Sequence, residues 1–581
     1  MALQHRKATE EEAAARRSAP WIDAAALTCI PRYPAVTRKD VFGGTLGSKL
    51  AITSPAPREP GTANVRPGPA IVARRVSCKW IASALVAALI PVSNALAFAF
   101  EDVVARAQQL AAGPYQPPFE TPRFMREMGY DQYRGIRHQA RHNLWRDAHS
   151  RFEVSPVMPG SVYARIVPIN EVNGSNVRRL AFRKDHFTFD EPELRQRIPD
   201  DLGYAGFELS YLDRRTVDGK FLVFAGASYF RGIGMGGQWG LSVRGAAIDT
   251  GLASGEEFPD FIEFWLVRPP ARAKRMTVYA LLNSPRLTGA YKFLISPGAS
   301  TRLDVRAVLF TRHRIEQLGI APLTSMYSYG ENTPRPRDAW RPEVHDSDGL
   351  LVHDASGDWI WQPLLNPSKI TIHSFSAGNE FGLLQRDTQF ASYEDAETNY
   401  QRRPSAVVGL QQGFETGRIL LVQLPTNNEF MDNIVAFWSL PGPVDGGTKL
   451  DLTYRLSLGN PMIAQTKVGQ VVNTFVGRDV IDASSMAGRY RFIVDFRGAR
   501  LDKLKADAPL VATISSHADT AILEHQLKRI DATGFWRLSI LARADKDKPL
   551  ALRASLNMNG RQVTEVWSYE LEPNNALRRD E

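Results

Sequence analysis

The sequence predicts a mainly β chain, built as a large antiparallel β-sandwich followed by a smaller one. From about residue 160 onward, apolar and polar residues alternate in segments bounded by Gly, Pro, Asn and Asp. That period of two is the pattern of half-buried strands. The clearest case places Leu450, Leu452, Tyr454, Leu456 and Leu458 at alternate positions. No long amphipathic helix pattern follows residue 150. Many short strands joined by turns bury their apolar faces by packing sheet on sheet.

The elements before the strands follow in order. Residues 1–71 are rich in Ala, Pro and Arg without sustained periodicity, and read as disordered or as an extension upstream of the true start. Residues 72–97 read as a secretory signal. Arg74, Arg75 and Lys79 form its basic end, and the apolar run Trp80 to Val92 its core. Ser93-Asn-Ala-Leu-Ala97 gives an A-x-A cleavage pattern. The apolar run is shorter than the roughly 20 residues that span a bilayer. Cleavage after Ala97 is expected, with Ala99 as the alternative site. Glu101 to Ala112 spaces Val103, Val104, Ala107 and Leu110 as a short helix, ended by Gly113-Pro114. Phe124–Met128 and Tyr130–Ile136 read as further helical turns.

Strands are expected at Lys220–Ala225, Met276–Leu282 and Leu303–Phe310. Gly459-Asn460-Pro461 marks a boundary. It divides a large sandwich over 98–459 from a small one over 463–575. The second part holds about seven short strands in about 110 residues, which suits an immunoglobulin-like sandwich. They fall near Gln470–Val476, Tyr490–Phe496, Leu510–Ser515, Ala521–Ile530, Phe535–Ala542, Ala551–Asn557 and Val563–Leu571.

Placing the cleavage site changes the charge argument. Residues 1–97 hold 13 of the 71 basic and 6 of the 62 acidic residues, so the remainder is nearly neutral at +2. The case for a nucleic-acid partner disappears with that charge. Both cysteines, Cys29 and Cys78, also fall in the removed part. The mature chain therefore has no disulfide, thiol nucleophile or cysteine metal site. No metal and no cofactor are expected.

Several motifs carry competing readings. Gly232-Ile-Gly-Met-Gly-Gly237 matches G-x-G-x-x-G, but no helix pattern follows, so a dinucleotide site is not expected and a tight turn or groove lining is. His345-Asp346-Ser347-Asp348-Gly349 could be a Ca²⁺ loop, an Asx-turn or the source of a catalytic carboxylate; composition favours the turn. Arg386, Asp387, Tyr393, Glu394, Asp395, Arg402 and Arg403 form a dense polar and aromatic block. It reads either as an ion-paired loop or as a saccharide groove, with aromatic faces for pyranose rings. Tyr327, Trp359 and Trp361 belong, with Tyr229, Trp239, Trp265 and Tyr329, to a supply of aromatics most of which are expected to be core. Asp432 lies in the polar loop Thr426–Asn433, between two apolar strands. No G-x-S-x-G, H-E-x-x-H or P-loop is present, which argues against serine hydrolases, zinc proteases and NTPases.

Taken together, several segments resemble one family. They are Phe98–Tyr115, Gly226-Ala-Ser-Tyr-Phe-Arg231, Ala247-Ile-Asp-Thr250, Ser254-Gly-Glu-Glu-Phe-Pro259 and Ala321-Pro-Leu-Thr-Ser-Met326. Further on come Arg341-Pro-Glu-Val-His-Asp-Ser-Asp-Gly349, Gly357-Asp-Trp-Ile-Trp361, Gly382-Leu-Leu-Gln-Arg386, Arg403-Pro-Ser405 and Asp432-Asn-Ile-Val-Ala436. In this order they resemble the periplasmic glucan biosynthesis proteins G and D, which act in osmoregulated periplasmic glucan production. The signal is closer to that of the G proteins, while Arg74-Arg75 leaves the D proteins open.

The resemblance implies a large β-sandwich joined to a small immunoglobulin-like domain, a periplasmic location and a β-1,2-linked glucan as substrate. Similar proteins are inverting endo-β-1,2-glucanases. Carried over, their general acid is Asp432 and their general base Asp346, the latter reaching its water through a relay. Tyr327, Trp359, Trp361, Arg386, Asp387, Tyr393 and Arg403 are the substrate-binding candidates. The alternatives are a non-catalytic glucan-binding partner of the inner-membrane synthase, or a branching transglycosylase.

Overall fold

The computed structural model describes residues 97–572, apart from 213–218, 461–463, 465, 479–487, 499, 517–519 and 545–547. The expected signal and N-terminal extension lie outside the described residues. No described helix is long and apolar enough to cross a membrane.

Phe100–Ala112 forms the expected helix. Glu101 and Asp102 favour its N-terminus, and the Asp102 carboxylate accepts from the Ala99 N–H at 2.7 Å. Phe100, Val103 and Ala107 are buried against Trp265, Ala290 and Val308. The short helices Arg123–Arg126 and Tyr130–Arg134 occupy the two other places expected to be helical.

The remainder is mainly β. A ten-stranded sheet and a fifteen-stranded sheet enclose one large core. Rings from the two sheets interlock across it: Phe207 meets Phe264 at 5.1 Å, and Phe224 meets Phe293 at 5.2 Å. Alternation sets which side chains enter. On Lys449–Gly459, Leu452, Tyr454, Leu456 and Leu458 are all buried. Lys220–Ala225, Met276–Asn283 and Thr301–Thr311 are strands where period two predicts them.

The C-terminal strands also fall at their expected positions. Gln470–Arg478, Arg489–Arg497, Trp536–Ala544 and Thr520–Arg529 make a four-stranded sheet. Its Phe492, Val494, Leu538 and Ile540 share a core with Leu552, Leu556, Trp567 and Tyr569 of the strands Leu550–Met558 and Val566–Leu571. The sequence does not foresee how the C-terminal strands join the large sandwich. Val566–Leu571 pairs in parallel with Trp359–Pro363, so one sheet runs on from the large sandwich into the C-terminal strands. Trp361 sits opposite Trp567 in that register and belongs to the second core.

A histidine cluster gives the fold an acid sensitivity. His142 stacks on His186 at 4.2 Å, and His138 meets His186 edge-on at 6.2 Å. Burial, then the neighbouring His186 and His142, lowers His138 to about 3. Its folded-state value lies below the usual 6.5, so the unfolded chain binds the extra proton between those values. Stability therefore falls as pH drops from about 6.5 towards 3. His138→Phe, placed beside Phe187, is expected to flatten that loss when denaturant midpoints are compared at about pH 7 and pH 5.

Candidate functional site

The site is assembled where strands of the ten-stranded sheet end. Strand Leu318–Ser325 lies beside Ile434–Ser439, with Ser325 opposite Ile434. The loop before Ile434 carries Asp432. The Asn433 side chain accepts from the Tyr327 N–H at 2.9 Å and donates to the Tyr327 carbonyl at 3.0 Å. From the other direction, Tyr327–Tyr329 pairs with Val344–His345. The Asp346 N–H donates to the Met326 carbonyl at 2.8 Å. The hydroxyls of Ser325 and Ser347 lie 2.8 Å apart. Asp346 and Asp432, 86 positions apart in the chain, thus flank the same three residues, Ser325 to Tyr327.

Both carboxylates are nearly enclosed, with side chains 5% and 7% exposed. A buried carboxylate needs partners. Oδ1 of Asp346 lies 3.5 Å from Nε of Arg403. Arg403 also donates to the Trp239 carbonyl at 2.5 Å and lies over the Tyr400 ring at 5.1 Å. Burial pushes the Tyr400 phenol up, and the charge of Asp346 pushes the same way. Oδ2 of Asp432 accepts from the Ser242 hydroxyl at 3.1 Å and lies 4.0 Å from Arg231. Arg244, on the same strand as Ser242, is ion-paired with Glu256 and packed against the rings of Tyr229 and Phe258. A depression of about 500 Å³ opens beside the Asp432 loop, lined by Asn366, Pro425, Thr426 and Met431 among others.

The Asx-turn expected at His345–Gly349 is not what forms. Asp348 accepts from the N–H groups of Arg386 and Asp387, 38 and 39 positions away. The motif is a long-range junction, which composition cannot reveal. Its glycine has a packing reason: a Cβ on Gly349 would lie 2.3 Å from the Trp361 ring. Gly349→Ala is expected to destabilise the protein by about 1–3 kcal/mol, as overpacking does, measured by denaturant unfolding. At Gly232–Gly237 a turn forms, with the Gly237 N–H donating to the Gly234 carbonyl at 2.9 Å and a strand, Ser242–Arg244, beyond it.

Of the other binding candidates, Arg403 lies against Asp346. Tyr327 is buried and stacks on His345 at 5.3 Å. Tyr393 is buried and meets the same ring edge-on at 5.2 Å. These two support the site from beneath, their faces already covered by protein. Trp361 is buried under Arg386, whose guanidinium lies 3.6 Å from its ring centre. Arg386 makes two 2.8 Å hydrogen bonds to Glu565 and one of 2.7 Å to the Val471 carbonyl. Its donors serve the junction with the C-terminal strands. Trp359 packs on His353 at 4.8 Å, and Asp387 accepts from the Gln389 N–H at 3.0 Å.

The family model for "Periplasmic glucan biosynthesis protein, MdoG" matches residues 98–571. The chain belongs to that family. Glucans biosynthesis protein G of Ralstonia nicotianae is 43% identical over 499 residues, covering 84% of this chain and 98% of the relative. A solved protein of Synechocystis sp. PCC 6803, Slr1438, aligns over 44% of this chain and 92% of its own. At 11% identity and a TM-score of 0.22, that likeness is too slight to argue from.

In this MdoG-family chain sequence reasoning named Arg403 but gave no role to the other partners of the two aspartates. Arg231 closes the motif Gly226–Arg231, while Ser242 and Tyr400 lie in ordinary strand and loop contexts that no local pattern marks. His345 stands in the motif His345–Gly349 but was given no role of its own. It is wholly buried with Glu343 at 2.8 Å and Asp348 at 3.6 Å. Burial would lower its pKa, but the hydrogen bond to Glu343 and the charge of Asp348 outweigh it and lift the imidazole to about 9. Burial pushes Asp348 up to about 6. Glu331, close to the same carboxylates, is pushed well above its usual value by burial, then by Glu343 and Asp348.

Proposed function

We propose that the protein resides in the periplasm and cleaves the β-1,2-linked backbone of a glucan as an inverting endo-β-1,2-glucanase. Asp432 is the general acid and Asp346 the general base. The observation that carries this reading is the pair of enclosed carboxylates flanking Ser325–Tyr327, each held by a different arginine. Inverting hydrolysis uses two carboxyl groups about 6.5–9.5 Å apart, or farther with a water relay, one for the leaving oxygen and one for a water on the opposite face.

Protonated Asp432 gives its proton to the glycosidic oxygen as the bond from that oxygen to C1 breaks. Water attacks C1 from the other face, and its proton passes through a relay to Asp346. Ser242 and Arg231 engage Oδ2 of Asp432, which leaves Oδ1 to face the leaving group. Arg403 fixes the direction of Asp346. Proton transfer by two positioned groups contributes roughly 10²–10⁴-fold each.

The test is to incubate the full chain with linear β-1,2-glucan, follow reducing ends, and read the first-formed anomer by NMR. New ends that appear first as the α-anomer are expected. A first-formed β-anomer would overturn the inverting mechanism. No cleavage would leave a glucan-binding role in biosynthesis, and transfer to sugar rather than water would make the same acid that of a transglycosylase.

A further inference from the structure

His345 immediately precedes Asp346, and its hydrogen bonds fix its protonation. The side-chain amide of Gln385 donates to the carbonyls of His345, at 2.9 Å, and Tyr400, at 3.2 Å. Its oxygen is therefore the atom turned to Nδ1 of His345, 3.0 Å away. An amide oxygen only accepts, so Nδ1 carries a proton. Nε2 faces the Glu343 carboxylate at 2.8 Å, again an acceptor. Where the Glu343 carboxylate accepts, both ring nitrogens donate and the ring is an imidazolium. A histidine with two carboxylates this close could be taken for a metal centre. Two protonated nitrogens leave no lone pair for an ion, and make it an ion-paired cluster instead.

The surroundings are consistent with a fixed cation. The ring is clamped between Tyr327 and Tyr393. Burial pushes both phenols well above their usual range, so they stay neutral. The acidic groups that face the ring are Glu343, Asp348 and Glu331. Gln385, which is uncharged, does more than accept from the ring. Through its two amide donors it ties the His345 carbonyl, next to Asp346, to the backbone at Tyr400. Tyr400 leads directly into Arg403, the partner of Asp346.

We propose that His345 is a positioning residue held as an imidazolium, which orients Gln385 and so sets Asp346 against Arg403 and Tyr400. The inference rests on Asp346 acting as the base, and its test can fail separately from that reading.

The first readout needs no substrate. In ¹⁵N-histidine-labelled full chain, with His345→Gln used to assign the signal, both nitrogens of His345 are expected to carry protons at pH 7. A single protonated nitrogen there would overturn the proposal. The second readout is the ¹³C titration of the Asp346 carboxyl, which is expected to shift in His345→Gln. An unchanged titration in a folded variant would sink the positioning role, whether or not the protein cleaves glucan.

The third readout uses β-1,2-glucan. His345→Gln is expected to lose about tenfold or more in kcat with KM nearly unchanged. The alkaline side of the wild-type profile, whose first limb belongs to the general acid Asp432, is expected to steepen near pH 9 where the imidazolium loses its proton, and that further limb should vanish in His345→Gln. Loss of activity in proportion only to unfolded protein, with the limb retained, would mean a purely structural histidine. Should His345→Gln fail to fold, Gln385→Leu takes its place. It keeps the ring but cuts the tie to Tyr400, and the same kcat loss is expected. Wild-type levels of kcat in Gln385→Leu would refute the proposal. If the wild type cleaves no β-1,2-glucan, the glucanase reading falls, while the first two readouts still decide the state and role of His345.

Discussion

Asp432→Asn is expected to lower kcat on linear β-1,2-glucan by roughly 10²–10⁴-fold while glucan binding is retained. An amide of the same shape keeps the hydrogen bond from Ser242 but has no proton to give the glycosidic oxygen. Asp346→Asn should show a loss of similar order, because its amide cannot receive the proton of water. The two losses differ in one respect. A substrate with an activated leaving group needs little acid assistance, so it should restore most of the rate in Asp432→Asn and little in Asp346→Asn. Reducing-end assays beside calorimetric binding separate the terms, since a lost acid changes kcat and a lost contact changes affinity. Full activity in both variants would remove these aspartates from the reaction.

The largest effect on stability is expected from Glu565→Ala. Glu565 is wholly buried and accepts two hydrogen bonds from Arg386, whose side chain is 8% exposed. It also accepts from the Val471 N–H at 3.1 Å. Removing it leaves a guanidinium in the interior with only the Val471 carbonyl and the Trp361 ring. Breaking one side of a buried pair costs about 3–5 kcal/mol, because the other charge stays buried. Denaturant unfolding of Glu565→Ala should show that loss. Arg386→Met with Glu565→Leu should recover much of it, since apolar groups of similar size fill the space without a lone charge. Because the Arg386 N–H also donates to Asp348, activity is expected to fall in Glu565→Ala even where it remains folded. No change in the unfolding midpoint would show that the pair contributes nothing net.

Strand positions were legible because burial writes period two into the residues themselves. Leu450 to Leu458 alternate, and the strand Lys449–Gly459 buries four of those five side chains. The seven C-terminal strands were legible for the same reason. The helix Phe100–Ala112 was legible in the spacing of Val103, Val104, Ala107 and Leu110 and in its end at Gly113-Pro114. The family was legible in ordered motifs, from Phe98–Tyr115 to Asp432-Asn-Ile-Val-Ala436, and the match over residues 98–571 agrees with it.

Aromatic roles were not legible. A Tyr or Trp in a motif looks the same whether its face meets solvent or a neighbouring ring. Tyr327 and Tyr393 proved to be covered by His345, and Trp361 by Arg386.

The sequence by itself determined the β class, the run of the strands, the near-neutral charge after residue 97 and the family. Those depend on composition and short-range periodicity, which every local segment carries. Only the tertiary structure decided the strand order, in which Val566–Leu571 joins Trp359–Pro363. It also decided that Ser242 would meet Asp432 across 190 positions, and that His345 would face two acceptors at once. Such contacts depend on how sheets stack and twist, and they join residues whose own neighbours in the chain give no sign of the meeting.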